Sequence, residues 1–143
     1  MADDNNNIRF STFLRVDPSA DELENLWKHF GPRCYRLVWR TPVPIENRLA
    51  FGKVFADRRL EITKSGIDPW RVAFTDFGRS LTVSTVFLGL DHRFMGEGPP
   101  LLFETIIFGG EHDLDLSRTS TWEGAEAMHA RTVEQLRSLK VVK

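Results

Sequence analysis

The chain has 143 residues, 41% hydrophobic and 27% charged, with a formal net charge of −1. That length is one domain's worth and can bury a core without disulfides or structural metal. The single cysteine, Cys34, excludes an internal disulfide and a cysteine-rich zinc site, which fits a reducing, cytoplasmic compartment. The polar start lacks the features of a signal peptide, and no apolar run approaches the roughly 20 residues that span a bilayer, so no membrane partner is expected.

Charge is uneven along the chain. Residues 31–80 carry ten Lys or Arg against five Asp or Glu, whereas residues 81–127 carry two against eight. Fourteen of the nineteen basic residues are arginine, whose planar fork pairs bidentately with carboxylate and phosphate. Either the basic and acidic segments pair across neighbouring strands, or the arginines form a face for an anionic partner.

After a head at 1–7 expected to be disordered, residues 8–143 read as one α+β domain. Ile8, Phe10, Thr12, Leu14 and Val16 alternate with Arg9, Ser11, Phe13 and Arg15, the period of a first strand with one buried face. Asp17 and Pro18 stop it. Ser19 and Glu22 form a capping box, Leu23, Leu26, Trp27 and Phe30 recur at helical spacing, and Gly31-Pro32 ends the helix.

A second strand follows, with Tyr35, Leu37 and Trp39 on a core face and Cys34, Arg36, Val38 and Arg40 opposite. The prolines of Thr41-Pro-Val-Pro-Ile45 confine that segment to an edge or crossing. Asn47 to Phe55 fits a strand or an irregular covering segment equally well. From Arg58 the pattern reads as a four-stranded antiparallel meander: Arg58 to Thr63, Trp70 to Thr75, Leu81 to Leu90 and Leu101 to Phe108. Apolar residues on both faces of the third of these make it central. Glu111 to Thr119 reads as an acidic loop. Ser120 and Glu123 form a second capping box, opening a helix with the stripe Trp122, Ala125, His129, Val133 and Leu136. The expected order is β-α-β-β-β-β-β-α, with one sheet of five to six strands carrying both helices.

The loop Asp91 to Pro100 is longer than a hairpin needs, and long loops on a rigid sheet carry function disproportionately. With Glu104 turned toward the same end, Asp91 and His92 would complete an acid-base cluster or a hard-metal site. The structural alternative is an Asx-type turn at Asp91 and an ion pair between Glu104 and an arginine on a neighbouring strand, such as Arg71. Arg33, Tyr35, Arg36, Trp39 and Arg40 mix aromatic and guanidinium groups that would stack on and clamp a nucleotide. Phosphate-loop, dinucleotide-binding, zinc-protease and esterase signatures are absent, as are recognition-helix and RNA-binding aromatic motifs.

The words V-S-T-V-F-L-G-L-D-H-R-F, G-P-P-L-L-F-E-T-I-I-F-G-G and T-S-T-W-E-G-A-E-A-M-H resemble a group of uncharacterised small proteins encoded by bacteriophages, prophages and some bacteria. The resemblance covers the C-terminal half, from Trp70 onward. It implies a phage setting and a small accessory role and brings no catalytic assignment; no cofactor is expected, and the expected location is the host-cell cytoplasm. The expected function is a non-catalytic binder that inhibits or sequesters a host-defence component, either a CRISPR-type effector or an anionic nucleotide signal, through Arg36, Arg40, Arg71, Asp91, His92 and Arg93. Two alternatives remain open: a small hydrolase or nuclease using Asp91, His92 and Glu104, and a homo-oligomeric virion or replication accessory protein.

Overall fold

The computed structural model describes residues 18–30, 33–93 and 97–142. The strand expected at 8–16 and the head at 1–7 lie outside them. The protein is α+β, with helices α1 (Ala20–Phe30), α2 (Arg48–Ser65) and α3 (Trp122–Val142) and strands β1 (Tyr35–Val38), β2 (Thr41–Pro44), β3 (Arg71–Gly78), β4 (Leu81–Phe87), β5 (Phe103–Phe108) and β6 (Leu116–Thr119). The strands form two antiparallel sheets, β1-β2 and β3-β4-β5-β6, instead of one. The chain divides into two compact units, Met1–Pro69 with Leu88–Asp91 and Trp70–Phe87 with His92–Lys143.

In the first unit, α1 starts as its capping box predicts: the Glu22 N–H donates to Ser19 Oγ at 3.1 Å, and the Ser19 N–H to Glu22 Oε1 at 3.5 Å. This helix packs against α2, where the Trp27 and Phe51 rings meet at a tilt of 42° with centroids 5.6 Å apart and Phe51 meets Phe55 edge-on at 5.2 Å. The whole of 48–65 is helix, which corrects both the open reading of 47–55 and the strand expected at 58–63. Asn47 Oδ1 accepts from the Ala50 N–H at 2.9 Å, and Gly66, at φ +74°, closes the C-terminus by donating to the Ile62 carbonyl. Phe51, Phe55 and Arg58, spaced by four and three, are its buried face. Arg58 is buried because Asp68 meets it bidentately, with Nε to Oδ1 at 3.0 Å and Nη2 to Oδ2 at 2.6 Å.

In the second unit, α3 packs on all four strands of the larger sheet. An aromatic chain, Trp70–Phe87–Phe103–Trp122, runs through its core with centroid spacings of 5.0, 5.4 and 6.1 Å. Val83, Ile107, Val133 and Leu136 form the cluster beside it. The segment expected to be an acidic loop ends in β6, which pairs with β5 from Thr119 opposite Phe103 to Leu116 opposite Ile106. Thr121, not Ser120, caps α3: its Oγ1 accepts from the Gly124 N–H at 3.0 Å and its carbonyl from the Ala125 N–H at 2.9 Å. Among the described residues no helix is long and apolar enough to cross a membrane.

Candidate functional site

The β1-β2 hairpin holds two of the predicted binding arginines. Arg36 pairs across to Val43, Val38 to Thr41, and the turn between the strands is Trp39-Arg40. The Ile45 N–H donates to the Cys34 carbonyl at 2.9 Å, so residues 41, 43 and 45 turn their N–H groups toward β1. Pro42 and Pro44 alternate with them, so the side of β2 facing away from β1 lacks two amide donors and resists strand addition. The other side of β1 is held by Leu88–Asp91: the Tyr35 N–H donates to the Gly89 carbonyl at 2.7 Å and the Asp91 N–H to the Arg33 carbonyl at 2.9 Å.

Between these restraints the tip presents side chains only. Trp39 is 93% exposed, not on a core face as alternation predicts, because the strand ends at Val38 and the chain reverses. Its φ of +59° lies in the left-handed region, which costs an ordinary L-residue about 1–2 kcal/mol. Arg36 and Arg40 are exposed beside it, and Tyr35 and Leu37 are half-buried on the opposite face. Arg36 also borders a small hollow of about 270 Å³ with Glu46, Lys53 and Asp57. Cys34 is fully buried, and burial pushes its thiol up to about 12.

The remaining predicted residues are divided between the two units. Asp91 belongs to the first unit, and its charge adds to burial in raising the Tyr35 phenol. His92 and Glu104 belong to the second. His92 is buried, with its N–H donating to the Leu101 carbonyl at 3.0 Å. Glu104 is fully buried and receives Arg118 Nε at 2.8 Å across the β5-β6 pair, so its partner is Arg118 and not Arg71. Arg71 instead lies 4.8 Å over the Phe74 ring. The Arg93 guanidinium lies over Gly98, 3.1 Å from where a Cβ would stand. Among the described residues no three His, Cys, Asp or Glu side chains gather into a group able to hold a metal ion.

Two features of the second unit escaped the sequence. One is a buried polar relay: Thr75 Oγ1 lies 2.8 Å from His129 Nε2, Thr85 Oγ1 2.8 Å from Nδ1, and Thr105 Oγ1 2.5 Å from Thr85 Oγ1. Each ring nitrogen faces a hydroxyl that can donate or accept, so either neutral tautomer is satisfied. Burial lowers the imidazole pKa. The other is a groove of about 870 Å³ between α3 and the β5-β6 pair, lined among others by Thr105, Ile107, Leu116, Ser117, Arg131 and Leu139. His112 and Asp115, 3.1 Å apart, also line it. The helical stripe marks the buried side of α3 only; the flank that lines the groove is polar and reads as solvated surface.

Comparison of the chain with protein-family models, with curated proteins and with solved structures finds no match.

Proposed function

We propose that the chain is a non-catalytic binding protein that docks through the β1-β2 hairpin onto an acidic protein surface, with Trp39 as the anchor and Arg36 and Arg40 as its charged flank. The observation that carries this reading is Trp39 itself. An indole that is 93% exposed contributes almost no packing, and its φ of +59° costs stability. A residue unfavourable to the fold on both counts is explained by what it touches in a complex, where tryptophan, tyrosine and arginine are enriched among hot spots. The proline-blocked strand beside it leaves side chains, not backbone, as the means of recognition.

The resemblance to phage-encoded proteins makes a host-defence protein, such as a CRISPR-type effector, the partner class. A free nucleotide fits less well, since in the hollow beside Arg36 the Lys53 ammonium is already engaged by Asp57 at 2.8 Å and Glu46 adds a further carboxylate. The test is native mass spectrometry of the protein recovered from host lysate, run in parallel on Trp39→Asn and Arg36→Glu. Wild type is expected to hold a host protein at fixed stoichiometry. Trp39→Asn should lose it while melting at the same or a higher temperature, because asparagine tolerates the left-handed region. A partner retained by both variants, or a released nucleotide, overturns the reading.

A further inference from the structure

The groove between α3 and the β5-β6 pair has a polar end and an apolar end, and the register of the sheet orders them. Thr105 pairs with Ser117 across the strands, and through Thr85 it is tied to His129, one helical turn before Thr132. Arg131 and Thr132 therefore stand at the Thr105-Ser117 level. Two residues along β5, Ile107 packs with Val133 and Leu136, and the loop up to Asp115 bonds to its backbone. The groove thus runs from Arg131 with two hydroxyl-bearing strand residues toward Ile107, Leu136 and Leu139. From Arg131 to Leu139 the helix rises about 12 Å.

Charge decides what the polar end accepts. Among the described residues no carboxylate lies within ion-pair distance of Arg131, whereas Asp115 is engaged by His112 at 3.1 Å. Asp115 and Glu134 also line the groove, so a multiply charged ligand meets repulsion where a single negative charge meets an available guanidinium. The volume of about 870 Å³ is within the usual range for small-molecule sites. We infer that this groove binds a monocarboxylate carrying an unbranched apolar chain, its carboxylate on Arg131 and its chain along Ile107, Leu136 and Leu139.

This inference is independent of the hairpin. The probe is sodium decanoate below its micellar concentration, titrated into the full-length protein and followed by amide chemical shifts, with decanol as the uncharged control. Saturable shifts are expected at Thr105, Ile107, Leu116, Ser117 and along 131–139. Arg131→Gln should weaken decanoate roughly tenfold, as expected for a lost charge-assisted contact, and leave decanol unchanged. Leu139→Glu, at the exposed apolar end, should weaken both ligands. Shifts that do not saturate, that fall outside the groove, or that are the same for wild type and Arg131→Gln overturn the inference.

Discussion

Burial acts in opposite directions on Glu104 and His129. Desolvation raises the Glu104 carboxyl above its ordinary value of 4.5 and outweighs the opposing effects of the Arg118 charge and hydrogen bond, and Oε1 has no hydrogen-bond partner among the described residues. A carboxyl whose folded pKa is raised holds its proton more tightly in the fold, so its contribution is present below the unfolded value and is lost as pH rises through the folded one. Glu104→Gln removes that dependence: its melting temperature relative to wild type should become more favourable as pH rises from 4.5, and a pH-independent difference counts against the assignment. His129 behaves conversely. Its folded pKa is lowered below 6.5, so the stability it contributes is complete above that value and is lost as pH falls through the folded pKa. Thr85→Val strands His129 Nδ1 and Thr105 Oγ1 together, at an expected cost of about 1–3 kcal/mol read from chemical denaturation.

At the scale of elements, one cap is legible in the sequence and two are not. Ser19 with Glu22 marks the start of α1, whereas Asn47 and Gly66, the N-cap and left-handed C-cap of α2, lie in segments that read as ambiguous and as a turn. Alternation of Leu60 and Ile62 with Arg59, Glu61 and Thr63 imitates a strand because the inner face of that helix is completed by an arginine. Arg58 is recognised as core only once Asp68, ten residues on, is seen to satisfy it. Strand β6 is short and lies in an acidic segment, so its pairing with β5 leaves no local signature. The β3-β4 connection yields a prediction of its own. Arg79 and Ser80 both have positive φ, +54° and +63°, as a two-residue hairpin turn of the primed type demands, yet neither is Asn or Gly. Gly109 accommodates this turn, since a Cβ there would collide with the Ser80 carbonyl oxygen. Replacing Arg79-Ser80 with Asn-Gly should raise stability by about 1 kcal/mol in denaturant titration without altering either proposed site.

At the scale of the whole molecule, the division into two units follows from four residues that no composition shift announces. Leu88–Asp91 leave β4, contribute to the first unit and return. Leu88 and Leu90 are almost fully buried, and the backbone of the segment supplies the Gly89 and Asp91 bonds to the β1 segment. Apolar residues on both faces of 81–90 do signal a stretch without a solvent side; they cannot show that its last part pairs beside β1, because that bridge, Cys34 to Leu90, joins positions far apart in sequence. The same distance explains the candidate site. The arginines of the hairpin were visible as an alternating basic face, whereas the exposure of Trp39 depends on the strand ending one residue before it.

The threaded segment also fixes which part of the chain can stand alone. A fragment of residues 1–69 keeps α1, α2 and the hairpin but loses Leu88–Asp91, leaving the Tyr35 N–H and the Arg33 carbonyl without those partners and removing two buried leucines. A lone two-stranded hairpin is marginal in water, so β1-β2 should not hold its register there. A fragment of residues 70–143 retains all four strands of the larger sheet, α3 and the complete aromatic chain from Trp70 to Trp122. It is expected to melt cooperatively by circular dichroism and to give dispersed amide resonances, whereas 1–69 should do neither. A cooperative transition in 1–69 would mean that α1 and α2 alone position the hairpin, and that Leu88–Asp91 are not what holds β1 in place.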